Sequence, residues 1–269
     1  MKLGISSYAL TWAIGVKGYE PPLKPLTAVG LVKLAHELGL HLVQIACNVP
    51  LHEFTNGQLH ELKQAADELE VTLEIGARGT NPARMLQYLE LANFLGSNIV
   101  RTLITDPDIS RGETDIRRIL PFYEANNIMI GIENHGLHTT TQLADLFKRI
   151  NNPLVGCCLD TVNSFGALEG PDLVIERLAP YLVNLHIKDF TIDRLDHQMG
   201  FVITGAPAGQ GRLDINKLVE VMKFYNKRPS VILELWPPYK NSVEETVALE
   251  REWLLQSLDF LKHVLNITL

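Results

Sequence analysis

The chain has 269 residues, 46% apolar and 20% charged, with a formal net charge of −7. Such a length buries a large core, and the acidic excess argues against a nucleic-acid partner held through its phosphates. No apolar run approaches the roughly 18 residues of a membrane span, the three cysteines lack Cys-x-x-Cys spacing, and MKLGISSYAL turns polar too early for a signal peptide, so a cytoplasmic protein with neither membrane nor nucleic acid as partner is expected.

Strand-like and helix-like segments alternate along the chain. A strand is read over 3–8. A long connection follows, from Tyr8 to about Leu26, with Trp12, Tyr19 and a Pro-rich stretch. Thr27 to Leu38 places Leu31, Leu34, Ala35 and Leu38 at helical spacing, and Gly39 ends the helix. Strands over 42–46 and 72–76 are separated by the stripe Leu59, Leu62, Ala66 and Leu69. Asn81 followed by Pro82 starts a helix that Gly96 stops. The spacing then predicts a strand over 98–103, a helix over 114–126, a strand over 128–133, a helix over 140–150 and a strand over 154–159. A helix over 171–178 and a strand over 182–187 follow. A second long connection, Phe190 to Gly211, holds Met199, Phe201 and the Gly-rich GAPAGQG. A helix over 214–225, a strand over 231–235 and a helix over 244–265 complete the series. Connections this long are lids, binding loops or surface decoration. Eight strands, each followed by a helix, predict an α/β protein with the (β/α)8 TIM barrel fold, one domain over 1–269. An open doubly wound sheet is the alternative, but no Gly-rich dinucleotide turn follows the first strand.

Four consecutive strands end in metal-ligating residue types. They are IMIGIENH with Glu133, LVGCCLD with Asp160, LVNLHIKD with His186, and VILELW with Glu234. Period-two alternation lets each ligand face inward while its neighbours pack outward. Glu133 shares a face with Met129 and Gly131, and the small Gly131 suits a crowded interior. His186 shares one with Asn184 and Lys188. Strand C-termini in a parallel barrel lie at one mouth, where active sites sit. Three carboxylates and one imidazole suit one divalent metal ion. Manganese, magnesium or cobalt fits best, and zinc is compatible.

With these residues the chain resembles the sugar isomerase/epimerase superfamily with the xylose-isomerase-like barrel. That group includes ketose 3-epimerases, hydroxypyruvate isomerases, inosose dehydratases and apurinic endonucleases. The resemblance implies one metal held by Glu133, Asp160, His186 and Glu234. It also implies catalysis by Glu133 and Glu234: one carboxylate removes a proton beside a carbonyl, the metal stabilises the enediolate, and the other returns a proton. Two departures narrow it. The Asp-x-x-His of the trinuclear endonucleases reads Asp160-Thr-Val-Asn163, and their Asp-x-His after strand seven is missing, which argues against DNA repair. Asn163 also replaces a substrate-touching His of the ketose 3-epimerases; it can bond a hydroxyl but cannot act as an acid or base.

Further substrate contacts are expected from His135, Asn163, Lys188, Arg101, Arg78 and Trp12, with Trp236 as a second apolar wall. Arg78, Arg101 and Lys188 would hold a carboxylate or phosphate. Alternatively, Arg101 pairs with Glu74 or another internal carboxylate, and Lys188 with Asp189. The expected function is a metal-dependent isomerase or epimerase of a small keto sugar or keto-sugar acid. A lyase, decarboxylating or dehydrating a 3-oxo sugar acid, is the alternative, and a non-catalytic sugar-binding barrel the third reading. The partner is a small carbohydrate, and a homo-oligomer is compatible with the sequence.

Overall fold

The apolar runs become strands because each is buried on both faces, against the barrel interior and against the helix layer. The computed structural model describes residues 1–265. Its strands are β1 (Leu3–Ser6), β2 (Leu42–Ile45), β3 (Thr72–Gly76), β4 (Ile99–Thr102), β5 (Met129–Glu133), β6 (Val155–Asp160), β7 (Leu182–Ile187), β8 (Asp189–Arg194), β9 (Phe201–Ala206) and β10 (Ser230–Leu233). β1 to β7 and β10 form a closed barrel in the order β1-β10-β7-β6-β5-β4-β3-β2. The pairings described are parallel throughout, from β1 with β2 round to β1 with β10.

The helices are α1 (Thr11–Ile14), α2 (Ala28–Glu37), α3 (Asn56–Glu68), α4 (Pro82–Leu95), α5 (Ile109–Asn126), α6 (Thr140–Ile150), α7 (Pro171–Leu178), α8 (Ile215–Phe224) and α9 (Val243–Val264). Local chemistry fixes their starts. Thr55 and Thr139 head capping boxes with Gln58 and Gln142, and Asn81 caps α4 with Pro82 in its first turn. Asp108 caps α5, whose first residue Ile109 lies five ahead of the predicted start at 114, and Gly112 sits within that helix, packed against Ile104 with no space for a Cβ.

Two expectations change. The first strand ends at Ser6, where Ser7–Leu10 makes one tight turn. The connection after β7 is largely an antiparallel hairpin, β8 with β9, rather than a loop. Its Gly-rich tail wraps Asp189, whose buried carboxylate accepts the backbone N–H groups of Phe190, Gly209, Gly211 and Leu213 at 2.8–3.0 Å. A Cβ on Gly211 would lie 2.1 Å from Asp189 Oδ1, so the close approach requires glycine.

The connection after β1 is anchored by another buried acid. Glu250 of α9 accepts the backbone N–H groups of Trp12 and Ala13 of α1, both at 3.0 Å. Burial pushes its carboxyl up to about 7 from an ordinary 4.5, against the pull of those backbone donors. The folded chain therefore binds this proton more tightly than the unfolded chain. The associated stability is full below about 4.5 and is lost as pH rises through about 7. That gap corresponds to on the order of 3 kcal/mol. Urea unfolding across this range should show the wild type losing stability relative to Glu250→Gln as pH rises. Parallel curves for the two proteins would mean that Glu250 is ionised throughout.

Candidate functional site

Barrel register brings the four candidate ligands at the strand ends to one mouth. Glu133 and Asp160 are the last residues of β5 and β6, His186 lies one from the end of β7, and Glu234 follows β10 directly. Asp160 is level with His186, and His186 with Ile232. From His186 Nδ1 the nearest oxygens are Glu133 Oε2 at 3.4 Å, Glu234 Oε1 at 3.4 Å and Asp160 Oδ2 at 4.0 Å. All four side chains are buried. Asp160 is aimed by its own turn: Oδ1 accepts Val162 N and Asn163 N at 2.8 and 2.7 Å, leaving Oδ2 toward the cluster. Asn134 clamps the end of β6, donating to Asp160 O and accepting from Asp160 N, both at 2.8 Å.

Two cations face these acids. Arg101, buried within β4, is ion-paired with Glu133 and also donates to Ala77 O at 3.3 Å. Its stem runs past Gly76, where a Cβ would touch Arg101 Cδ at 3.4 Å and crowd Ala46 Cα at 3.1 Å. Lys188 Nζ lies 2.9 Å from Asp160 Oδ2 and 2.8 Å from Glu234 Oε2. Asn163 bridges the groups, donating to Glu133 Oε1 at 2.7 Å and accepting from Lys188 at 3.3 Å. Burial raises the Glu133 and Glu234 carboxyls, but the neighbouring cations more than offset it. Arg101 leads for Glu133, which falls below its ordinary range; Lys188 leads for Glu234, which falls to about 2. Lys188 is lowered by burial and raised more strongly by Asp160, Glu234 and Glu133, so it stays charged.

Buried polar atoms left over define what the cluster lacks. His186 Nδ1, Asp160 Oδ2 and both Glu234 oxygens have no directed hydrogen bond, although Lys188 stands at ion-pair distance from two of them. Those two contacts have the reach of an ion pair without hydrogen-bond alignment. An imidazole nitrogen facing three carboxylates, all inside the protein, is costly unless a cation lies among them. The donor set therefore fits a divalent ion. Cys158 also lies near Glu133 and His186, but its thiol donates to Asn184 Oδ1 at 3.2 Å, and burial pushes it well above its ordinary range.

The remaining predicted contacts divide. A cavity of about 240 Å3 has Tyr8, Trp12, Val16, Lys188, Leu235 and Trp236 in its lining. Asn163 lies inside the charge cluster. Arg101 is beside the acids, with Glu133 as its partner rather than Glu74. Lys188 pairs with Asp160 and Glu234 rather than Asp189. Arg78 and His135 are exposed, and no side-chain hydrogen bond joins either to the cluster among the described residues. Sequence reasoning passed over Gln44, whose Oε1 lies 2.7 Å from His186 Nε2. A polar residue inside the apolar run LVQI was the available signal.

The family model described as xylose isomerase-like TIM barrel matches residues 2–263. The chain is 32% identical over 265 residues to a 3-oxo-isoapionate decarboxylase of Pectobacterium atrosepticum, covering 97% of this chain and 95% of that one. Its fold is similar to that of a D-psicose 3-epimerase from Clostridium cellulolyticum H10, solved with D-tagatose (TM-score 0.72, 18% identity, 98% and 99% of the two chains). It is also similar to a xylose isomerase-like TIM barrel protein from Mycobacterium smegmatis in complex with magnesium (TM-score 0.69, 15% identity, 96% of each chain). The chain is an enzyme that belongs to the xylose isomerase-like TIM barrel family.

Proposed function

We propose that the chain is a metal-dependent decarboxylase of a 3-oxo sugar acid. The observation that carries this reading is an aromatic-walled cavity opening onto the half-buried, charged Lys188. In a 3-oxo acid the bond to the carboxylate breaks and its electron pair moves toward the carbonyl. Carbon dioxide leaves, and a proton from solvent completes the carbon. Negative charge thus leaves the carboxyl group and gathers on the carbonyl oxygen. Trp12, Leu235 and Trp236 would strip water from the carboxylate, which favours its departure. A divalent ion (manganese, magnesium, cobalt or zinc) held by Glu133, Asp160, His186 and Glu234 would supply Lewis acidity toward the carbonyl oxygen. Lys188, fixed between Asp160 and Glu234, would add positive potential where that charge gathers.

The ion pairs of Glu133 and Glu234 support the same reading: Glu133 is held by Arg101 and Glu234 by Lys188 rather than left free to take a proton. Glu133 is further occupied on both oxygens, by Arg101 and by Asn163. Decarboxylation makes no demand for proton abstraction by either residue. The decarboxylase relative at 32% identity supports the choice.

An isomerase or epimerase is the second reading. It is favoured by the placement of Glu133 and Glu234 on separate elements, each 3.4 Å from His186 Nδ1. Two carboxylates so placed would flank a substrate and exchange its proton.

Purified enzyme with manganese, in deuterated water, separates the two. A 3-oxo sugar acid should release one carbon dioxide per turnover and take one deuterium into the product. Deuterium wash-in to a recovered keto sugar, with no carbon dioxide from any acid, would give the isomerase reading instead. Lys188→Met should lower kcat for decarboxylation by roughly 10²–10³-fold, the range for loss of one preorganised electrostatic group. A normal kcat in this variant would remove Lys188 from the chemistry. Arg101→Met strands Glu133 as a buried unpaired acid and should destabilise the metal-free protein by about 3–5 kcal/mol. Urea unfolding with and without manganese checks this, with partial recovery expected when the ion is present.

A further inference from the structure

We infer that Glu74, deep in the barrel below the charge cluster, fixes the tautomer of His186 through Gln44 and thereby sets the affinity of the site for a divalent cation. The inference rests on the reading of His186 as a metal ligand. Glu74 is buried on β3 and its carboxylate collects three donors. Gln44 Nε2 and Asn184 Nδ2 donate to Oε2 at 3.0 and 2.9 Å, and Ser230 Oγ donates to Oε1. A carboxylate with three donors around it acts as an acceptor only, so Gln44 must turn its amide nitrogen toward it. The second amide hydrogen of Gln44 goes to Asn184 Oδ1 at 3.1 Å. With both hydrogens used, Gln44 presents its carbonyl oxygen to His186, 2.7 Å from Nε2.

A carbonyl oxygen can only accept. His186 Nε2 therefore carries the ring proton, and Nδ1 is left with a bare lone pair directed at Glu133, Asp160 and Glu234. The opposite amide orientation would set Gln44 Oε1 against Glu74 Oε2, two acceptors at 3.0 Å. Without Gln44 the proton would move to Nδ1, where carboxylates 3.4 Å away would hold it, and the ligand position would be blocked. Gln44 and Glu74 are thus positioning residues. They reach the cation site from the barrel interior and touch neither substrate nor ion. Register sustains the arrangement: Gln44 is paired with Glu74 across β2 and β3, and Asn184 with Ser230 across β7 and β10.

Nitrogen-15 NMR of the His186 ring in the metal-free full chain reads the tautomer directly, and cobalt(II) affinity is read by competition against a chelator. The wild type should show the proton on Nε2. Gln44→Met should shift it toward Nδ1 and weaken cobalt binding by about 10- to 100-fold, the range for lost outer-shell partners of a ligating His. Glu74→Met should move both readouts the same way, with kcat at saturating metal changed less than the affinity. A wild-type spectrum with the proton on Nδ1 overturns the inference, and so does cobalt affinity within twofold of wild type in either variant. If neither variant folds, the wild-type spectrum decides alone. A wild type that binds no divalent ion overturns the metal reading and the relay together; normal binding with unchanged variants overturns the relay only.

Discussion

Three carboxylates converge on one imidazole nitrogen inside the barrel mouth, and the rest of the site is arranged around that concentration of charge. Buried acids at such distances repel one another and forgo their hydration, a cost of several kcal/mol per ion unless it is offset. The barrel answers with two cations from different strands. Arg101 comes from β4 and Lys188 from the exit of β7. The strands around Arg101 are closely packed: a Cβ on Gly76 would lie 3.1 Å from Ala46 Cα and 3.4 Å from Arg101 Cδ, and one on Gly131 3.1 Å from Ile99 Cδ1. Three negative groups against two positive ones still leave negative charge, and they leave a lone pair facing it. A divalent ion resolves both.

The same balance bears on the chemistry. An acid that must remove a proton near neutral pH is normally left partly unpaired, so that its pKa can rise toward the working range. Glu133 and Glu234 are instead tied to guanidinium and ammonium groups. In the decarboxylase reading that arrangement would serve to receive charge from a substrate rather than to take a proton from it. Asn163 fits this picture, because a residue without acid–base capacity bridges Glu133 and Lys188 at the point where the family resemblance leads one to expect a His.

The barrel was legible in the sequence because hydrophobic runs and helix stops recur with little interruption. The strand ends that meet in the charge cluster were legible because each carries a carboxylate or imidazole where period-two alternation points it inward. What escaped were interactions between strands far apart in sequence. Arg101 reads from the sequence as a substrate contact or as a partner of Glu74 or another internal carboxylate; only the adjacency of β4 and β5 singles out Glu133. Gln44 and Glu74 are separated from His186 by more than a hundred residues, and no local pattern links them. The β8–β9 hairpin was hidden for another reason. Phe201, Val202 and Ile203 are exposed, so the stretch lacks the burial that marks the other strands, and its glycines read as loop.

Charge cluster and cavity wall come from different parts of the fold. The cluster stands on barrel strands, whose register admits little adjustment. The wall comes from α1 and from the residues after β10, which pack on each other, with the Trp236 indole also donating to Asp189 O of β8 at 3.1 Å. Trp12 packs on Tyr19 and Tyr239 with ring centroids 4.8 and 5.2 Å apart, and Glu250 holds the α1 backbone from the far helix. Substitution in this wall would leave the acids, Lys188 and the Gln44 relay in place while changing the size and dryness of the cavity. In the decarboxylase reading proposed above, the part of the wall is to keep water from a carboxylate, and Trp12, Leu235 and Trp236 line the cavity next to Lys188.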